Sequence, residues 1–187
     1  MIGKSTHMWR LFLCLSLPLY LLDQWTKSWI VGKFHLYVDE QEIIPGIFAL
    51  HHASNTGVAF GMFNGTAYAN YAFTAISLSV LVFLIWGCRT SIFPGKLSRL
   101  AVALLISGIL GNLTDRLFRS GEDGVLFGGG FLSGYVVDFL KFDFGFAPFN
   151  PWPSFNVADS CVVCAAILLC IASFVEPSPT PSKKTLP

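Results

Sequence analysis

Two aspartates, Asp138 in GYVVDFL and Asp159 in SFNVADS, are the residues of this chain best suited to chemistry. If both carboxylates face one cavity, their proximity disfavours double ionisation and makes sharing one proton favourable. One can then activate water while the other protonates or polarises a peptide carbonyl, which is what an aspartyl peptidase requires. Asp159 opens a helix and can be held at its N-terminal end. Spacing alone does not make the pair, since two aspartates on outer loops also arise by chance.

Asn112, Asp115 and Arg116 follow an apolar run containing Ser107, Gly108 and Gly111, small residues that permit close helix contact. Asn112 and Asp115, three apart, share roughly one helix face. A structural reading competes evenly with a role beside the carboxylates: Arg116 pairs with Asp115 and snorkels, while Asn112 ties helices together. Asp23 and Lys27, four apart, can pair at low dielectric, and an anchor is their stronger reading. Asn55 begins NTGVAFG. Taken alone it reads first as turn structure and second as an amide for a substrate backbone. Adjacent His51 and His52 are poorly disposed to share a metal, and CVVC at Cys161 and Cys164 lacks further ligands for zinc. No metal or cofactor site is expected.

The elements that must position these residues are apolar. Of 187 residues 53% are hydrophobic and 12% charged, with a net charge of +1, which fits a small polytopic membrane protein and gives no basis for nucleic-acid binding. Candidate spans are 9–31, 68–86, 97–113 and 159–175, the last two short against the roughly 20 residues a crossing needs. Lys4 and Arg10 before the first run also fit an export signal, but DQWTKSW lacks a small-residue cleavage pattern, so a retained helix is simpler. With four crossings, Lys4, Arg10, Arg89, Lys96, Arg99, Lys183 and Lys184 fall on one side, which the positive-inside rule makes cytoplasmic together with both termini. Asn112, Asp115, Arg116, Asp138, Asn156 and Asp159 then meet at the outer face.

The outer region 32–67 reads as short strands and tight turns, with a plain irregular loop as the alternative. The second outer region, 117–158, carries GGGF and FDFGFAPFNPWPSF and reads as an interfacial flap or short helix. Residues 176–187, rich in proline and serine, read as a disordered tail. The fold class expected is an all-α integral membrane protein: four transmembrane helices, a small outer β-like cradle and an interfacial loop or helix, in one domain over 1–175.

Five ordered blocks, LDQWTK from Leu22, NTGVAFG from Asn55, GNLTDR from Gly111, GYVVDF from Gly134 and FNVADS from Phe155, resemble the lipoprotein signal peptidase, or bacterial signal peptidase II, family over about residues 10–175. The resemblance implies a metal-independent enzyme of the bacterial inner membrane. Such an enzyme removes the signal peptide from diacylglyceryl-modified prolipoproteins, cutting N-terminal to the lipidated cysteine. It implies Asp138 and Asp159 as the catalytic pair, with Asn55, Asn112, Asp115, Arg116 and Asn156 around the pocket and Asp23 and Lys27 as first-helix polar support. Its partners would be the prolipoprotein and membrane phospholipid, with a monomer as the unit. The chain departs from the family pattern at Ser107–Gly108, where paired glycines are common, and the aromatic stretch 121–153 has no residue-by-residue match. A noncatalytic helix-bundle adaptor using the same polar pairs is the alternative from another class, and a small transporter ranks last.

Overall fold

A π-helical turn at Phe12–Ser16 leads into α1, Leu17–Lys33, with Pro18 in its first turn where a missing N–H costs nothing. The computed structural model describes residues 9–56, 67–90, 92–119, 132, 134–146 and 152–177. NTGVAFG beyond Thr56, the GGGF run, residues 147–151, the tail from 178, and Lys4, Lys183 and Lys184 lie outside them. After α1 come β1 (Glu40–Ile44), β2 (Phe48–Asn55), α2 (Ala67–Thr90), α3 (Lys96–Phe118), β3 (Val136–Phe142) and α4 (Val157–Val175).

The sequence predicts four spans, and the structure corrects that number to three. Among the described residues, three helical stretches are long and apolar enough to cross a bilayer: Asn70–Thr90, Lys96–Phe118 and Val157–Val175. The first helix does not qualify. At 17 residues α1 is only about 26 Å long, against a hydrocarbon core of about 30 Å. It also carries Asp23, Lys27 and Lys33, and the π-helical turn interrupts the helical run that precedes it. The chain is a multi-pass membrane protein with a polar first helix packed among its spans.

Beside the helices lies a three-stranded antiparallel sheet in the order β1-β2-β3. Its hairpin turns through Pro45 and Gly46, the latter at φ 68, a left-handed conformation that glycine adopts without strain. β3 falls in the outer region that the sequence predicts to be a flap or short helix. Both faces of its first half are buried, from Val136 through Phe139, and it pairs Ala53 with Asp138 and Asn55 with Val136. On its other side the chain approaching α4 is held by Phe139 N and Leu140 N donating to Phe155 O at 3.1 and 2.9 Å. Ile30 and Phe34 pack against Tyr135, Val137 and Phe139, so the sheet rests on the end of α1.

The spans meet through small residues and caps. A Cβ at Gly108 would lie 2.5 Å from Ala158 O, and one at Gly111 2.6 Å from Asp23 Oδ2, so both glycines permit the close contact of α3 with α4 and α1. At the opposite end of α3, Gly95 has no side chain to cap the helix. Glu176 at the end of α4 does so instead, accepting from Leu97 N at 2.7 Å and Ser98 N at 3.2 Å.

Candidate active site

Asp138 and Asp159 converge where the sheet meets the start of α4, and one residue brings them together. Asn156 is the N-cap of α4: its Oδ1 accepts from Asp159 N at 2.9 Å, while Asp159 Oδ2 accepts from Asn156 N at 3.2 Å. This reciprocal capping box fixes the Asp159 side chain against the first turn, where the helix dipole favours a carboxylate. The same Asn156 donates through Nδ2 to Asp138 Oδ1 at 2.7 Å and to Val137 O at 3.2 Å. Asn156 therefore holds both carboxylates, that of Asp138 through its side-chain amide and that of Asp159 through its backbone N–H.

Each remaining carboxylate oxygen has its own amide. Asn55, on the neighbouring strand, donates to Asp138 Oδ2 at 2.9 Å, and Asn112, on α3, donates to Asp159 Oδ1 at 2.7 Å. Burial pushes the Asp138 carboxyl up to about 7, with the charge of Asp159 adding to the effect. The bonds from Asn55 and Asn156 and the charge of Lys27 pull the other way. A carboxyl titrating near neutrality beside a second carboxyl is suited to holding one exchangeable proton and passing it.

One layer further in, the predicted pair of Asp23 and Lys27 forms at 2.8 Å, with both side chains buried. Lys27 Nζ also meets Asp115 Oδ2 at 2.9 Å and Asn112 Oδ1 at 2.9 Å. Asp115 receives Arg119 Nε on its other oxygen at 3.1 Å, so the Asp115 partners are Lys27 and Arg119 where the sequence suggested Arg116. Asp23 Oδ1 accepts from Ala158 N at 2.8 Å, a second anchor on the first turn of α4. Arg116 is buried, with its guanidinium carbon 5.3 Å from the centre of the Phe73 ring, and it feels the charges of Asp159, Asp138 and Asp115.

The site residues expected from sequence beside the two aspartates, Asn55, Asn112, Asp115, Arg116, Asn156, Asp23 and Lys27, lie in or directly behind this one place. Sequence reasoning missed Gln24, which bridges Asp23, Gly111 O and Asp115. It also missed Asn70, a buried amide on α2 that donates to Arg116 O at 3.3 Å and Leu132 O at 2.5 Å. An asparagine inside the apolar run AYANYAF was the available signal. The two histidines go separate ways, His51 Nε2 to Ser154 Oγ at 2.6 Å and His52 Nδ1 to Phe34 O at 3.0 Å.

Comparison with known proteins bears on what this site serves. The family model described as Signal peptidase (SPase) II matches residues 15–175. The lipoprotein signal peptidase of Psychromonas ingrahamii is 33% identical over 184 residues, covering 98% of this chain and 94% of its own length. That of Alteromonas mediterranea is 34% identical over 164 residues, covering 87% and 80%. A solved bacterial membrane enzyme superposes with a TM-score of 0.70 at 26% identity, over 100% of this chain and 95% of its own.

Proposed function

Because this chain belongs to the signal peptidase II family of membrane enzymes, we propose that it is an aspartyl endopeptidase acting on diacylglyceryl-modified prolipoproteins and cutting N-terminal to the lipidated cysteine. The observation that carries the reading is the amide clamp: Asn156 binds Asp138 Oδ1 and Asp159 at once, and Asn55 and Asn112 fill the outer oxygens. Four amide contacts fix two carboxylates without neutralising either. The pair can then carry one proton near neutral pH.

In this reading the ionised member takes a proton from water as its oxygen attacks the scissile carbonyl, while the protonated member gives its proton to the carbonyl oxygen. Collapse of the tetrahedral intermediate returns a proton to the leaving amine and restores the singly protonated pair. Asn55 and Arg116 border the place where substrate backbone and lipid headgroup would lie. An apolar signal helix and acyl chains would enter laterally between spans, and water would reach the pair from the sheet side. Arg89, Lys96 and Arg99 gather around the α2–α3 connection at the other end of the spans, which supports a cytoplasmic assignment for that end and an outer-face site in the bacterial inner membrane.

The test is cleavage of a diacylglyceryl-modified prolipoprotein by the purified protein and by Asp138→Asn and Asp159→Asn variants shown to be folded and to bind substrate. Both variants should lose at least about a thousandfold in turnover, as when one member of a unit that works together is removed. Wild-type rates in either folded variant would remove that aspartate from the mechanism, and an inactive wild type beside an active control would remove the substrate assignment.

A further inference from the structure

Lys27 is fully buried, and its three contacts, Asp23 Oδ2, Asp115 Oδ2 and Asn112 Oδ1, match the three donors of an ammonium. An ammonium has no acceptor, so the end of the Asn112 amide that faces it must be the carbonyl oxygen. That choice leaves Asn112 Nδ2 to donate to Asp159 Oδ1. The same Asn112 oxygen also takes a bond from Asn156 Nδ2 at 3.2 Å, the amide that reaches Asp138. One cation therefore sets the donor direction of two relays, one ending on each carboxylate.

We propose, resting on the dyad reading above, that Lys27 is a positioning residue that orients Asn112 and thereby governs how the Asp138–Asp159 pair holds its shared proton. Its charge acts on both carboxylates through this short path. The charged and titratable groups around the path are Asp23 from α1, Asp115 and Arg116 from α3 with Arg119 just past its end, Asp138 from β3, and Asp159 and Cys161 from α4. Asp23 and Asp115 are balanced by Lys27 and Arg119, so the cluster is neutral as a whole. Removing Lys27 alone leaves it one negative charge in excess, a few ångströms from the pair. Extra negative charge favours the protonated carboxyls, so both limbs of the pH–rate profile must move upward.

The experiment compares full pH profiles of kcat and KM for the intact protein, Lys27→Gln, and Lys27→Gln with Asp23→Asn, with Asp138→Asn run in parallel. Glutamine keeps a donor for Asn112 but not the charge, and the double variant restores the charge balance without the ammonium. Lys27→Gln should shift the profile up by about one to two pH units, the size of an unscreened charge about 7 Å away at an effective dielectric near 20. The double variant should return the optimum toward that of the wild type yet retain a loss in kcat of about tenfold or more with KM little changed, the mark of a misoriented group. An unmoved profile in Lys27→Gln, with only yield or thermal stability reduced, overturns the proposal. Should Lys27→Gln fail to fold, wild-type kcat in the double variant overturns it equally. Wild-type activity in Asp138→Asn would instead sink the dyad reading itself, an outcome read independently of the Lys27 variants.

Discussion

Two pairs of aspartates, three of the four residues buried and Asp159 half-buried, are linked through Asn112 and Lys27 and are treated in opposite ways. Asp23 and Asp115 are bonded by cations, Lys27 to both and Arg119 to Asp115. Asp138 and Asp159 are bonded by amides from Asn55, Asn112 and Asn156. A buried carboxylate matched by a cation is a structural tie, and its removal strands the partner charge. A buried carboxylate matched only by neutral donors is held in place while its proton remains negotiable. Under the proposed function, four residues of the same type thus divide into an anchor and a reactive pair by the charge of what touches them.

The contrast can be broken most forcefully from the anchor side. Asp115→Ala leaves Lys27 and Arg119 facing an empty site and should lower stability by about 3 to 5 kcal/mol, read as a fall in the unfolding midpoint in detergent. A change of under about 1 kcal/mol would mean that the cluster is not a charge-matched anchor. A smaller effect of opposite sign is expected at Asp138. The folded Asp138 carboxyl titrates near 7 against 3.8 when free, so its contribution to stability is full below about pH 4 and is lost as the pH rises through 7. Asp138→Asn, which cannot ionise, should therefore gain on the wild type by up to a few kcal/mol between about pH 4 and pH 8, at about 1.4 per pH unit of displaced titration, against a pH-independent cost because its NH2 meets the donor of Asn55 or Asn156. The gain should vanish towards pH 4. Equal midpoints for the two proteins across that range would contradict the raised titration. The smallest effect belongs to Lys141 and Glu40, a partly exposed pair at 2.6 Å between β3 and β1. Lys141→Ala should cost under about 1 kcal/mol and leave cleavage unchanged, so a larger loss would show that ion pairs matter here regardless of burial.

The legibility of each feature in the sequence depends on the range over which its interactions act. The i, i+4 pairing of Asp23 with Lys27 and the helix start at Asp159 are local, and sequence spacing is enough for both. The alternation of apolar runs brings Asn112, Asp138, Asn156 and Asp159 to one face, but the bonds that join them are not legible from it, because apart from the capping pair Asn156–Asp159 they link residues 18 to 83 positions apart. Asp115 with Arg119 is another i, i+4 pair that spacing could have offered, whereas Lys27 as its second partner is a packing outcome that no spacing encodes. β3 reads as part of a flap or short helix because its surroundings are rich in glycine and aromatics. Yet Val136 and Val137 are β-branched and buried on both faces, as a strand held between β2 and the helices requires. The first helix reads as a span because its apolar opening masks its polar second half: Asp23 and Lys27 are buried within the protein, and the 17 residues of α1 fall short of a bilayer.

The cap that Glu176 places on α3 has a consequence for how the protein is made. Leu97 and its cap are 79 residues apart, so the first N–H groups of α3 lack this partner until α4 has been made, and water at the end of the span can serve them until then. Docking of α4 also brings Asp159, at its other end, against Asn112, and lets Ala158 N reach Asp23. Packing of α4 therefore completes both ends of the helix pair together, and a chain without it has neither the Glu176 cap on α3 nor the Asn112–Asp159 contact.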